Sequence, residues 1–89
     1  MTRREVQITN RLGLHARAAA RFVHTANRFT SRVTVTRDGR TMDGKSILGV
    51  LLLAASQGTR LELAADGDDE GAALIALVAL VEGGFGEES

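Results

Sequence analysis

Arg32-Val33-Thr34-Val35-Thr36-Arg37-Asp38-Gly39-Arg40-Thr41-Met42 alternates β-branched and polar residues, meets an Asp-Gly pair, and then returns. Period-two alternation places Val33 and Val35 on one side of a strand over Arg32 to Thr36. Asp-Gly suits the positive backbone angles of a tight hairpin turn, so Arg40 to Met42 reads as a short returning strand. This antiparallel pair sits mid-chain, and a strand-plus-helix pattern flanks it on either side.

On the N-terminal side, Arg4 to Thr9 alternates with Val6 and Ile8 inward, and Met1 to Arg3 extend it. Asn10 and Gly13 break the pattern, and a proline-free run of strong helix formers follows over about Ala16 to Asn27. Ala19, Phe22, Val23 and Ala26 fall on one face of that helix, Phe29 continues the stripe, and Arg17, Arg21 and Arg28 face out. On the C-terminal side, Ser46 is the natural cap of a short helix over Ile47 to Ala55, which Gly58 closes. Thr59 to Ala65 alternates with Leu61, Leu63 and Ala65 inward, and Asp66-Gly67 turns the chain. Asp68, Asp69 and Glu70 supply negative charge before a last helix over Ala72 to Glu82. Gly83-Gly84 ends it and leaves a short acidic tail.

The order is strand, helix, strand, strand, helix, strand, helix, which builds an α+β two-layer sandwich. Right-handed crossovers make the first two strands parallel to each other and the last two likewise. The hairpin opposes the middle pair, so the fourth strand runs antiparallel to the first and can pair with it. The ferredoxin-like order and other split orders both satisfy these directions.

Eighty-nine residues without cysteine form one domain over residues 1–89, too small for a deep catalytic cleft and without thiolate metal sites or disulfides. The opening is polar, and the longest apolar run, Ala72 to Val81, falls short of the ~20 residues that span a bilayer. A cytoplasmic protein without membrane insertion is the expectation. Net charge is zero, yet residues 1–45 carry about +7 and residues 46–89 about −7. Such a split either steers an acidic or phosphorylated partner or is neutralised as the halves interleave.

Chemistry gathers in Gly13-Leu14-His15-Ala16-Arg17-Ala18-Ala19-Ala20. His15 stands at a helix start, where unpaired backbone N–H groups and the positive dipole end favour an anion. The Arg17 guanidinium can grip phosphate oxygens as a fork. Imidazole is a nucleophile near neutral pH, and a phosphoimidazole passes its group on readily. A loose phosphoryl-transfer transition state asks mainly for in-line positioning and charge stabilisation. Taken singly, His15 also reads as a polar helix-entry residue, Arg17 as a solvated one and Ser46 as a cap. His24 is not spaced to share a metal with His15.

GLHARAAA, GKSILGV from Gly44 to Val50, Gln57-Gly58 before the fourth strand, and GFGE near the end occur in the order and spacing of the histidine-containing phosphocarrier proteins, the HPr family, which this chain resembles over nearly its whole length. The resemblance implies an open-faced sandwich: a four-stranded antiparallel sheet, order one-four-two-three, with three helices on one face. It implies that His15 accepts a phosphoryl group from phosphorylated Enzyme I and passes it to sugar-specific Enzyme IIA domains or regulatory acceptors. Arg17 then stabilises the phosphate, with the backbone of Ala16, Arg17 and Ala18 as donors. Ser46 matches a regulatory phosphorylation position, served by an HPr serine kinase/phosphorylase, and Ile47, Leu48 and Leu51 match an apolar docking patch. No metal and no cofactor is implied, and a monomer is expected.

The chain departs from the family where Ala18 replaces the proline after the arginine. Alanine leaves the fold allowed but adds an N–H and some freedom to the first helical turn. Ala54-Ala55-Ser56 stands where glycines are frequent, which predicts a stiffer end to the second helix. The rival functions are a small regulatory ligand- or protein-binding α+β module without phosphotransfer, and single-stranded nucleic-acid binding. Three phenylalanines and no tyrosine or tryptophan leave the latter few stacking platforms.

Overall fold

The Asp38-Gly39 hairpin forms as its alternation requires, with both turn residues at positive φ, +49° and +80°. In the computed structural model, which describes residues 1–87, it joins β2 (Arg32–Arg37) to β3 (Arg40–Asp43). Glu88 and Ser89, the end of the expected acidic tail, lie outside the described residues. The other elements are β1 (Thr2–Gln7), α1 (Ala16–Ala26), α2 (Ile47–Leu52), β4 (Arg60–Asp66), α3 (Glu70–Glu82) and a short 3-10 turn over Gly84–Gly86.

The strands make one sheet in the order β1-β4-β2-β3, antiparallel at every pairing. β4 enters between β1 and β2, so the order is the family's. Val6, Val33, Val35, Leu61, Leu63 and Ala65 alternate onto one face and are buried there. The three helices cover that face with Ala19, Phe22, Val23 and Ala26 of α1, Val50 of α2, and Leu74, Leu77, Val78 and Val81 of α3. The open face carries none of the phenylalanines: Phe22 and Phe85 are buried and Phe29 packs against the core.

α1, β2, β3 and β4 keep their expected bounds to within one residue, and larger differences fall at β1, α2, α3 and the tail. β1 begins at Thr2 and ends at Gln7, opposite Arg60, the first residue of β4. Past that register Ile8 bonds to the loop before β4, its N–H donating to Thr59 O (2.9 Å) and its carbonyl accepting from the Gly58 N–H (2.8 Å). α2 ends at Leu52 instead of Ala55. Its last turn tightens into bonds from Leu53 N–H to Val50 O and Ala54 N–H to Leu51 O, and Ala54 turns to φ +50°. The Arg37 guanidinium caps the freed carbonyls, donating to Leu53 O (2.7 Å) and Ala54 O (2.9 Å). A left-handed alanine costs roughly 1–2 kcal/mol, so the stretch expected to stiffen the helix instead terminates it.

α3 starts at Glu70 instead of Ala72. Asp69, the residue before it, does not cap its own helix. Its carboxylate accepts from the Ser31 N–H (2.9 Å), the Ser31 hydroxyl (2.5 Å) and the Thr30 N–H (2.9 Å), tying the loop before β2 to the start of α3. The approach is close enough that a Cβ on Gly67 would stand 2.6 Å from Ser31 Oγ. The last difference is the tail. After Gly83 the chain reverses through Gly84, Phe85 and Gly86, all at positive φ, and buries Phe85 to 1% exposure. The segment packs on α3 and α1.

Candidate functional site

The loop between β1 and α1 is held on the end of α2. Gly13 stands at φ +68°, where a Cβ would lie 2.6 Å from Ala55 O, so only glycine fits without displacement. The Leu14 N–H donates to the same Ala55 carbonyl (2.8 Å), and Leu14 is buried. These contacts deliver His15 to the N-cap of α1 with extended backbone, φ −79° and ψ 178°. The first helical bond runs from the Ala19 N–H to His15 O (2.8 Å).

His15 caps the helix with a ring nitrogen. The Arg17 N–H donates to His15 Nδ1 at 3.2 Å, so Nδ1 of the neutral ring is the unprotonated nitrogen and Nε2 carries the proton. Nε2 lies 2.5 Å from Glu87 Oε2. Glu87 Oε1 accepts from Asn10 Nδ2 at 2.8 Å, and the same amide nitrogen donates to Gly13 O at 2.8 Å. Desolvation pushes the Glu87 carboxyl upward, but the hydrogen bonds from Asn10 and His15 and the charges of His15 and Arg21 outweigh it and hold the carboxyl below its ordinary value. Arg21 Nη1 also donates to Phe85 O, tying the tail to α1.

Ala16, Arg17 and Ala18 occupy the first helical turn, whose amides have no intrahelical carbonyl. The Arg17 amide already faces His15 Nδ1. Ala18 is fully buried. Arg17 is exposed, and among the described residues its guanidinium makes no hydrogen bond or ion pair. His24 is exposed on the same helix.

Ser46 is the N-cap of α2, its Oγ accepting from the Gly49 N–H at 3.0 Å. It stands at the far end of α2 from the His15 loop, about 9 Å along a six-residue helix. Ile47 and Leu48 are exposed, Leu48 to 67%. Leu51 is half-buried and packs against the core. Leu52, one residue on, is exposed instead, as is Leu12 in the loop before His15. The reason is the helix phase set by buried Val50 and Leu53, which a helix apolar on all sides conceals in sequence.

The family model described as the PTS HPr component phosphorylation site matches residues 2–83. The chain belongs to the HPr family. HPr phosphocarriers of Neisseria meningitidis are 48% identical to it over 87 residues, 98% of either chain. That of Xylella fastidiosa strain Temecula1 is 48% identical over 89 residues, covering 100% of both. The crystal structure of HPr-C-His from Thermoanaerobacter tengcongensis superposes with a TM-score of 0.96 at 47% identity, covering 100% of both chains. HPr from Bacillus anthracis does so at 0.87 and 40%, covering 90% of this chain and 95% of that one. The protein is a phosphocarrier of the phosphotransferase system, and its partners are proteins of that system. Among the described residues, no helix is long and apolar enough to cross a membrane.

Sequence reasoning missed Asn10, Phe85 and Glu87 as parts of the site. The signal for Phe85 was a large apolar residue between two glycines in GFGE. Asn10 carried only its reading as a loop residue, and Glu87 only its reading as tail charge.

Proposed function

We propose that His15 Nδ1 is the atom that accepts the phosphoryl group, taken from phosphorylated Enzyme I and passed to Enzyme IIA domains or regulatory acceptors. The observation that carries this is the 3.2 Å bond from the Arg17 N–H to Nδ1. It keeps the Nδ1 lone pair available at a helix N-terminus, where a bound phosphoryl group meets backbone donors and a positive dipole end. On transfer the Arg17 N–H leaves Nδ1, the lone pair attacks phosphorus, the bond to the donor breaks, and the first-turn amides of Ala16, Arg17 and Ala18 serve the phosphate oxygens. The exposed Arg17 guanidinium adds a forked contact. Ile47, Leu48, Leu52 and Leu12 offer apolar surface to the partner beside that centre.

Ser46 is read as a regulatory site for a serine kinase. A phosphate there adds negative charge beside the docking surface and opposes an acidic partner. The protein is read as a cytoplasmic monomer that works as one domain over residues 1–89. Incubation with phosphoenolpyruvate and Enzyme I is expected to label the parent with an acid-labile phosphate and to leave His15→Ala unlabelled. Full labelling of His15→Ala would remove His15 from this role.

A further inference from the structure

We infer that Glu87 is a positioning residue for His15: its carboxylate holds the proton on Nε2 and balances the positive charge the ring gains when Nδ1 takes the phosphoryl group. This rests on His15 being the acceptor. Nε2 and Glu87 Oε2 are 2.5 Å apart, and Nδ1 is occupied as an acceptor by the Arg17 N–H, so the ring can only donate toward Glu87. The carboxylate is itself anchored. Its second oxygen accepts a hydrogen bond from Asn10 Nδ2, whose residue is 1% exposed. The tail behind it is pinned by buried Phe85, by Arg21 donating to Phe85 O, and by the Glu87 N–H donating to Gly84 O (3.0 Å).

The chemistry balances without an added reactant. As the Nδ1 lone pair forms the N–P bond, the bond from phosphorus to the donor breaks and its electron pair leaves with the donor. Nε2 keeps its proton, so the ring becomes a cation facing the carboxylate. On delivery the N–P bond breaks, its pair returns to Nδ1, and the ring is neutral again with the same proton in place. A fixed carboxylate against one ring nitrogen sets the tautomer and stabilises an imidazolium at the other, the role an aspartate has in serine hydrolases. Among the described residues Glu87 is the acid that pairs with this ring, and Arg21, whose charge acts on Glu87, donates to the tail backbone at Phe85 O.

The test uses the full chain as parent, Glu87→Gln, Glu87→Ala, Glu87→Asp and His15→Ala. Rapid-quench phosphoryl uptake from phosphorylated Enzyme I gives the maximal rate and the apparent KM, and nitrogen-15 spectra of the neutral ring report its tautomer. Glu87→Gln is expected to slow the maximal rate about tenfold or more, as losing a hydrogen bond to a charged group does, with KM within about twofold of the parent. Glu87→Ala is expected to move the ring shifts from a pure Nε2–H pattern toward a tautomer mixture, and Glu87→Asp to recover part of the rate. An unchanged rate with unchanged ring shifts overturns the inference, as does a raised KM with an unchanged maximal rate, which would make Glu87 a partner contact. Labelling of His15→Ala would instead refute His15 as the acceptor, so the two failures are distinct.

Discussion

Replacing Phe85 with alanine tests whether the C-terminal reversal belongs to the core. Phe85 is 1% exposed and its segment packs on α3 and α1. Truncating a buried phenylalanine costs about 3–5 kcal/mol. The whole stability expected of an 89-residue chain is roughly 4–13 kcal/mol, so this one change removes a large share of it. At about 4–8 °C per kcal/mol for a domain of this size, the melting temperature is expected to fall by ~12 °C or more. With no tryptophan or tyrosine, the assay is urea and thermal unfolding followed by far-ultraviolet circular dichroism, with Phe85→Leu as the milder variant, expected to lose less. A fall below about 4 °C would refute the reasoning, because it would mean the tail peels off α1 and α3 at little cost.

Asp69 is held at about 2, against 3.8 unperturbed, chiefly by hydrogen bonds from the Ser31 hydroxyl and the Thr30 N–H. A depressed folded-state pKa contributes stability above the unfolded value and loses it as pH falls. The stability gap between the parent and Asp69→Ala, read from urea midpoints, is therefore expected to be constant above about pH 4 and to close between pH 4 and pH 2. Ser46→Ala removes the cap of α2 and is expected to cost roughly 0.5–2 kcal/mol in urea unfolding. Ser46→Asp keeps a capping oxygen, so it is expected to hold stability while slowing phosphoryl uptake through its added charge. Leu48→Glu, at an exposed position, is expected to leave stability within about 0.5 kcal/mol and to raise the apparent KM for Enzyme I roughly tenfold, ~1.4 kcal/mol of binding.

Much of this fold was legible along the chain, because strands and helices here bury one face each. Val33 and Val35 on one side of β2, Leu61 and Leu63 on one side of β4, and Phe22 with Val23 on α1 all follow from period alone. The Asp-Gly turn fixed the direction of the hairpin, and the helix start behind His15 was readable from Gly13 and the alanine run. Phosphocarrier function was legible too, through motifs lying in register over nearly the whole chain. What failed were boundaries and partners set by residues distant in sequence. α2 stops where Arg37 caps its carbonyls, and the phase of its apolar face, hence the exposure of Leu52, depends on packing.

The sequence by itself determined the element order, the inward faces and the histidine at a helix N-cap, since each depends on local spacing and backbone chemistry. Only the tertiary structure decided what surrounds that histidine. Asn10 and Glu87 lie 77 positions apart, His15 and Glu87 72, and Arg21 and Phe85 64. No periodicity reaches so far. The tail arrives there because burying Phe85 and satisfying its carbonyl with Arg21 offset the cost of three successive positive-φ residues, and that balance exists only once α1 and α3 are packed.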